Sequence, residues 1–167
     1  MSHFHRRRWG AAAIAAAAVF SVAAPVSAHA ETFEIPFPAG QACDFDIVVT
    51  GSTGNTVYRE FSDRDGDVVR TLLAGTGAAL TLTNVETGTS VSLKSNGAVS
   101  MATVNPDGTT TLRSTGHNVI LLSPSDVPAG PSTTLYVGRV TYDVGAGNVF
   151  TIVGSSGQTR DLCAELE

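Results

Sequence analysis

The chain has 167 residues, 43% of them hydrophobic and 15% charged, with ten Lys/Arg against fifteen Asp/Glu. That length suits one domain, and the acidic balance argues against phosphate backbones and anionic membranes as partners. Two cysteines alone do not make a zinc site.

The N-terminus reads as an export signal. His5 and Arg6 to Arg8 form a basic head, Ala11 to Ala24 an apolar run of 14 residues, and Ala28-His29-Ala30 the small-x-small pattern that signal peptidase accepts. A membrane-spanning helix needs about 20 apolar residues, so this run reads as a leader and not an anchor. The three arginines invite a twin-arginine reading. Trp9-Gly10 follows where that pathway favours apolar residues, and general secretion is the better reading. Residues 1–30 are therefore expected to be a cleavable signal peptide and 31–167 a secreted domain. Removing the leader leaves seven basic residues against all fifteen acidic ones, a net charge of −8. Thr, Val, Ser and Gly dominate that remainder, which favours strands and turns.

Strand periodicity, interrupted by turns every eight to ten positions, runs through the domain. Thr32 to Phe37 is expected as a short strand, confined to a sheet edge by Pro36. Asp44 to Thr50 reads as a strand with Asp44 and Asp46 outward and Phe45, Ile47 and Val49 inward. Thr56 to Phe61 and Val68 to Leu73 flank Asp63-Arg64-Asp65-Gly66-Asp67, whose Asp-Gly step signals a hairpin. A meander follows through Leu80 to Asn84, Ser90 to Lys94, Val99 to Val104 and Thr110 to Ser114. Its alternating Leu80/Leu82, Val91/Leu93 and Val99/Met101 are expected to point inward.

Val119 to Leu122, apolar at every position, reads as a central strand with both faces covered. Ser123 to Pro131 is the longest loop. Thr133 to Val144 is expected as the longest strand, with a bulge or bend at Gly138. Val149 to Val153 is the last strand, and Asp161 to Leu166 a helical turn that brings Cys163 to Cys43. In an oxidising compartment that pair is expected to be bridged. It would close a loop of 121 residues, which the chain-entropy model values at about 5 kcal/mol. Redox pairs sit two residues apart, which these do not. The expected architecture is all-β: a single antiparallel β-sandwich, or flattened barrel, of about ten strands.

Catalytic templates mostly fail on inventory. After the leader a single histidine remains, His117, so a multi-histidine metal centre is excluded. There is no Gly-x-Ser-x-Gly elbow, no Walker loop and no dinucleotide fingerprint. Asp44 and Asp46, two apart, would share a face of a strand and could work as a carboxylate pair. Solvated edge carboxylates are the simpler reading. The Asp63-Asp65-Asp67 loop resembles a calcium ligand set, but its Gly66 sits at the fourth position and Ala74 at the twelfth, against the EF-hand order. A charged hairpin turn is preferred there.

Leu80-Thr81-Leu82-Thr83-Asn84, Lys94-Ser95-Asn96-Gly97, Asn105-Pro106-Asp107-Gly108, Gly116-His117-Asn118-Val119 and Asp126-Val127-Pro128-Ala129-Gly130-Pro131 together resemble a group of small exported actinobacterial proteins. The resemblance implies export and a β fold, and brings no catalytic or ligand residue with it. The expectation is a secreted, non-catalytic binding or structural module of the envelope or beyond. It would be a monomer with an extracellular ligand or protein as partner, and without nucleic acid, membrane, metal or cofactor. A carboxylate-dependent hydrolase and a calcium-dependent adhesion module are the alternatives.

Overall fold

A computed structural model describes residues 31–167; the leader expected over residues 1–30 lies outside the described residues. Ten strands follow in chain order: β1 (Thr32–Phe37), β2 (Ile47–Ser52), β3 (Thr56–Ser62), β4 (Val68–Gly75), β5 (Ala79–Asn84), β6 (Ser90–Leu93), β7 (Ala98–Val104), β8 (Thr110–Leu122), β9 (Ser132–Val144) and β10 (Phe150–Asp161). One short helix, α1 (Leu162–Leu166), ends the chain, its first turn capped by the Asp161 carboxylate accepting from the Ala164 N–H at 3.1 Å. The strands form two sheets in which every pairing is antiparallel, one ordered β1-β2-β5-β6 and the other β10-β9-β8-β7-β4-β3. The protein is a β-sandwich. Pro36 lies on β1, an edge strand, where a missing N–H breaks no ladder.

The core fills the space between the four-stranded sheet and one end of the long strands. Ile47 and Val49 of β2 and Leu82 of β5 meet Leu135 of β9, with Leu162 and Leu166 of α1 closing the side. Phe33, Phe37, Leu80, Val91, Leu93, Val119, Leu121 and Val137 pack around them. Cys43 is bonded to Cys163 across a sequence separation of 120, with a Cα–Cα distance of 5.6 Å that suits a bridge. The disulfide thus pins α1 and the end of β10 to the segment before β2. The strands, the bridge and the core residues named here contact one another through residues of 31–167.

Several expected elements take a different form. Asp44 and Phe45 form a bend, and β2 starts at Ile47, because Asp46 turns back to accept the Ala39 N–H at 2.6 Å. Thr110 to Ser114 and Val119 to Leu122 are two ends of one 13-residue strand, β8. The last strand runs on from Ile152 to Asp161, past a bulge at Val153. Gly138 carries no register shift. It keeps the ladder with φ +140°, beside Gly116 at φ +97° and Gly157 at φ +105° in one row across β10, β9 and β8. A Cβ at Gly138 would run into the Ser156 carbonyl, and one at Gly116 into that of Gly97. Glycine is required here on both counts.

Candidate functional site

The two sheets differ in length, and that mismatch creates the site. Strands β1, β2, β5 and β6 have four to six residues, whereas β8, β9 and β10 have twelve or thirteen. Residues directly opposed in antiparallel strands share a face. On the core face His117 opposes Val137, Val119 opposes Leu135 and Leu121 opposes Thr133. Beyond the glycine row the same face continues as Thr115 opposite Arg139 and Arg113 opposite Thr141, where Arg113, Thr115 and Arg139 are exposed. The short sheet ends and the long strands go on.

This overhanging face has an unusual composition for so acidic a domain. One row runs Arg59, Leu72, Met101, Arg113 and Thr141 across β3, β4, β7, β8 and β9. By alternation Arg70 and Arg139 lie on the same face. Four of the seven basic residues of 31–167 are therefore gathered here, all exposed. Within these strands the one carboxylate on the face is Asp143, which accepts the Thr111 hydroxyl at 2.6 Å. Among the described residues the single ion pair is Arg160–Glu165, so none of the four arginines is neutralised by a neighbouring carboxylate. Val99 and Met101, expected to point inward, lie on this face, Val99 at 44% exposure. The order of strands explains it: β7 leaves the meander to pair with β4 and β8 in the longer sheet, past the reach of the shorter one. Val99, Met101, Arg113, Thr115, Arg139 and Thr141 line an open concavity of about 660 Å³.

Where the sheets part, a second hollow of about 400 Å³ opens between them. Leu80, Leu93, Val119, Leu135 and Val137 form its apolar wall, and Lys94, Asn96, His117 and Arg160 stand at the polar part of the lining. Arg160 donates from Nε to Glu165 at 2.9 Å and from Nη2 to the other carboxylate oxygen. That two-pronged bond raises the guanidinium pKa and holds the Glu165 carboxyl below the ordinary range.

The residues singled out from sequence do not come together. Neither Asp44 nor Asp46 lines either hollow, and Asp46 is occupied in fixing the bend before β2. The Asp63 loop is the tip of the β3–β4 hairpin, in which Asp63 Oδ1 accepts the N–H groups of Asp65 at 2.9 Å and Asp67 at 3.1 Å. That carboxylate closes a turn. Among the described residues no group of three or more His, Cys, Asp or Glu is placed to hold a metal. His117 lies in β8 with its N–H donated to the Gly97 carbonyl at 3.1 Å, and no carboxylate shares its hollow.

One carboxylate overlooked in sequence is structural. Asp126 is 6% exposed in the loop before β9. It accepts from the Ser123 N–H at 2.6 Å, the Ser123 hydroxyl at 2.8 Å and the Phe150 N–H at 2.8 Å. Burial works to raise its pKa, but these three donors together outweigh it and hold the carboxyl below its ordinary value.

No protein-family model matches the chain, and no curated protein or solved structure matches it either. Function has to be read from the chemistry of these surfaces.

Proposed function

We propose that the protein is a non-catalytic extracellular binding module, and that it binds through the overhanging face of the six-stranded sheet. The partner is a protein whose contact surface has an apolar centre bordered by carboxylates. The observation that carries this is the clustering of Arg59, Arg70, Arg113 and Arg139 around Leu72 and Met101 in a domain of net charge −8. Arginine and methionine are enriched at protein interfaces and lysine is depleted there, and all four cations on this face are arginine. Arginine also pairs with carboxylates in a fixed two-pronged geometry that lysine lacks. The net charge argues against phosphate backbones and anionic membranes; on this face the local charge is positive and suits a carboxylate-bearing protein surface. The disulfide, and the likeness to small exported actinobacterial proteins, support an oxidising setting outside the cell. Asp44, Asp46 and the Asp63 loop do not line the hollow that holds His117, which favours binding over carboxylate-dependent hydrolysis.

A photo-crosslinking amino acid at Met101 tests the proposal. It should capture a partner from the secreted fraction of the producing cells, where the same label at Thr81, on the outer face of the short sheet, should not. Capture should fall with added salt and vanish in Arg113→Glu/Arg139→Glu. Equal capture from both positions, or turnover on glycoside or ester substrates, would overturn it.

A further inference from the structure

We propose that the hollow between the sheets is a separate binding site for a small amphipathic anion, an apolar body of about ten non-hydrogen atoms bearing one anionic head. The hollow is distinct from the arginine face: His117 and Val137 line the one, Thr115 and Arg139 the other, with the glycine row between them. Its volume of about 400 Å³ falls within the range of small-molecule sites. Leu80, Leu93, Val119, Leu135 and Val137 offer the body an apolar wall continuous with the protein core.

The polar part of the lining selects the head group. Fifteen acidic residues outnumber seven basic ones in this domain, yet the lining holds Lys94, Arg160 and His117 and no carboxylate. Arg160 is engaged by Glu165, whereas Lys94 has no ion-pair partner among the described residues. Lys94, exposed just past the end of β6, borders both this hollow and the outer concavity that Glu34 shares. With its ammonium turned to the mouth it favours a ligand whose negative charge stays there while its body is buried. Asn96, also in the lining, can supply a further amide donor.

Residues 31–167 contain one imidazole, that of His117, and its ring resonances report on the hollow directly. Titrated into the full chain, decanoate should shift them saturably. Decanol, with the same tail and no charge, should bind about tenfold more weakly, and decylamine more weakly still. Lys94→Gln should remove most of the preference for decanoate over decanol while leaving decanol affinity unchanged. Ala78→Phe, which fills the hollow from its side, should abolish both responses, with an unchanged melting temperature showing that the fold is intact. Equal binding of decanol and decanoate would overturn the head-group assignment. A shift of the same size from inorganic phosphate would overturn the amphipathic class, and no response to any of them the site itself. Arg113→Glu/Arg139→Glu should leave the decanoate response intact; its loss there would show that hollow and face are one site.

Discussion

The two halves of the long strands β8 and β9 differ more from each other than either strand differs from its neighbour. In the covered half Leu135 and Thr133 are buried, at 4% and 0% exposure, and Thr133 donates to the Ala42 carbonyl at 2.9 Å beneath the disulfide. In the overhanging half the same face presents Arg113, Thr115 and Arg139 to solvent. One strand pair serves two purposes. On this face burial of apolar area and the covalent bridge are concentrated where the sheets overlap, whereas the overhang buries Val140 and Ser114 on its opposite face and leaves this one free to vary its side chains. Beyond it the β3–β4 hairpin has no covering layer among the described residues: every residue of β3 is exposed, including Val57, Tyr58 and Phe61.

Perturbations that separate the halves can be ranked. Replacing Cys43 and Cys163 with Ser should have the largest effect, a loss of up to about 5 kcal/mol of unfolding free energy, measured by denaturant titration. Next comes Leu82→Ala, at a fully buried position; it should cost about 3 kcal/mol, whereas Met101→Ala should cost less than about 1 kcal/mol. Equal losses at the two positions would mean that the overhang is packed as tightly as the core.

Asp126→Ala comes third and should cost about 1–2 kcal/mol through the donors it strands. The same carboxylate sets an acid limit. Its folded pKa is depressed below the unfolded value, so its contribution is whole above the unfolded pKa and disappears as pH falls through the folded one. Amide exchange of Ser123 and Phe150 should therefore accelerate in acid before that of β2 and β5. The smallest effect belongs to Arg113→Glu/Arg139→Glu, expected to change stability by less than about 0.5 kcal/mol while removing partner capture. At neutral pH, amide exchange should also be faster in β3 and β4 than in the covered ends of β8 and β9, since few apolar contacts protect the hairpin.

The sandwich class, the hairpin at Asp63, the edge position of β1 and the pairing of Cys43 with Cys163 were legible in sequence. Each depends on local chemistry or on simple counting: an Asp-Gly turn, a proline, alternating apolar residues, two sulfurs. The binding face was not. Arg59, Arg70, Arg113 and Arg139 are separated by up to 80 positions and meet because β4 pairs with β7, a non-local contact that no local pattern encodes. Met101 shows the same limit, since alternation identifies its side of the strand but not whether a second layer reaches that far. The strand expected from Asp44 differs for the opposite reason: it starts at Ile47, because a hydrogen bond that the Asp46 side chain accepts from the Ala39 N–H overrides the local alternation.

The sulfur bridge has one more consequence. Cys43 precedes, and Cys163 follows, every strand from β2 to β10. A protease that cuts the exposed Asp63 tip would leave two polypeptides, one carrying each cysteine. They would stay covalently tethered and hydrogen-bonded through intact ladders on either side. The domain can be nicked at this exposed turn without coming apart.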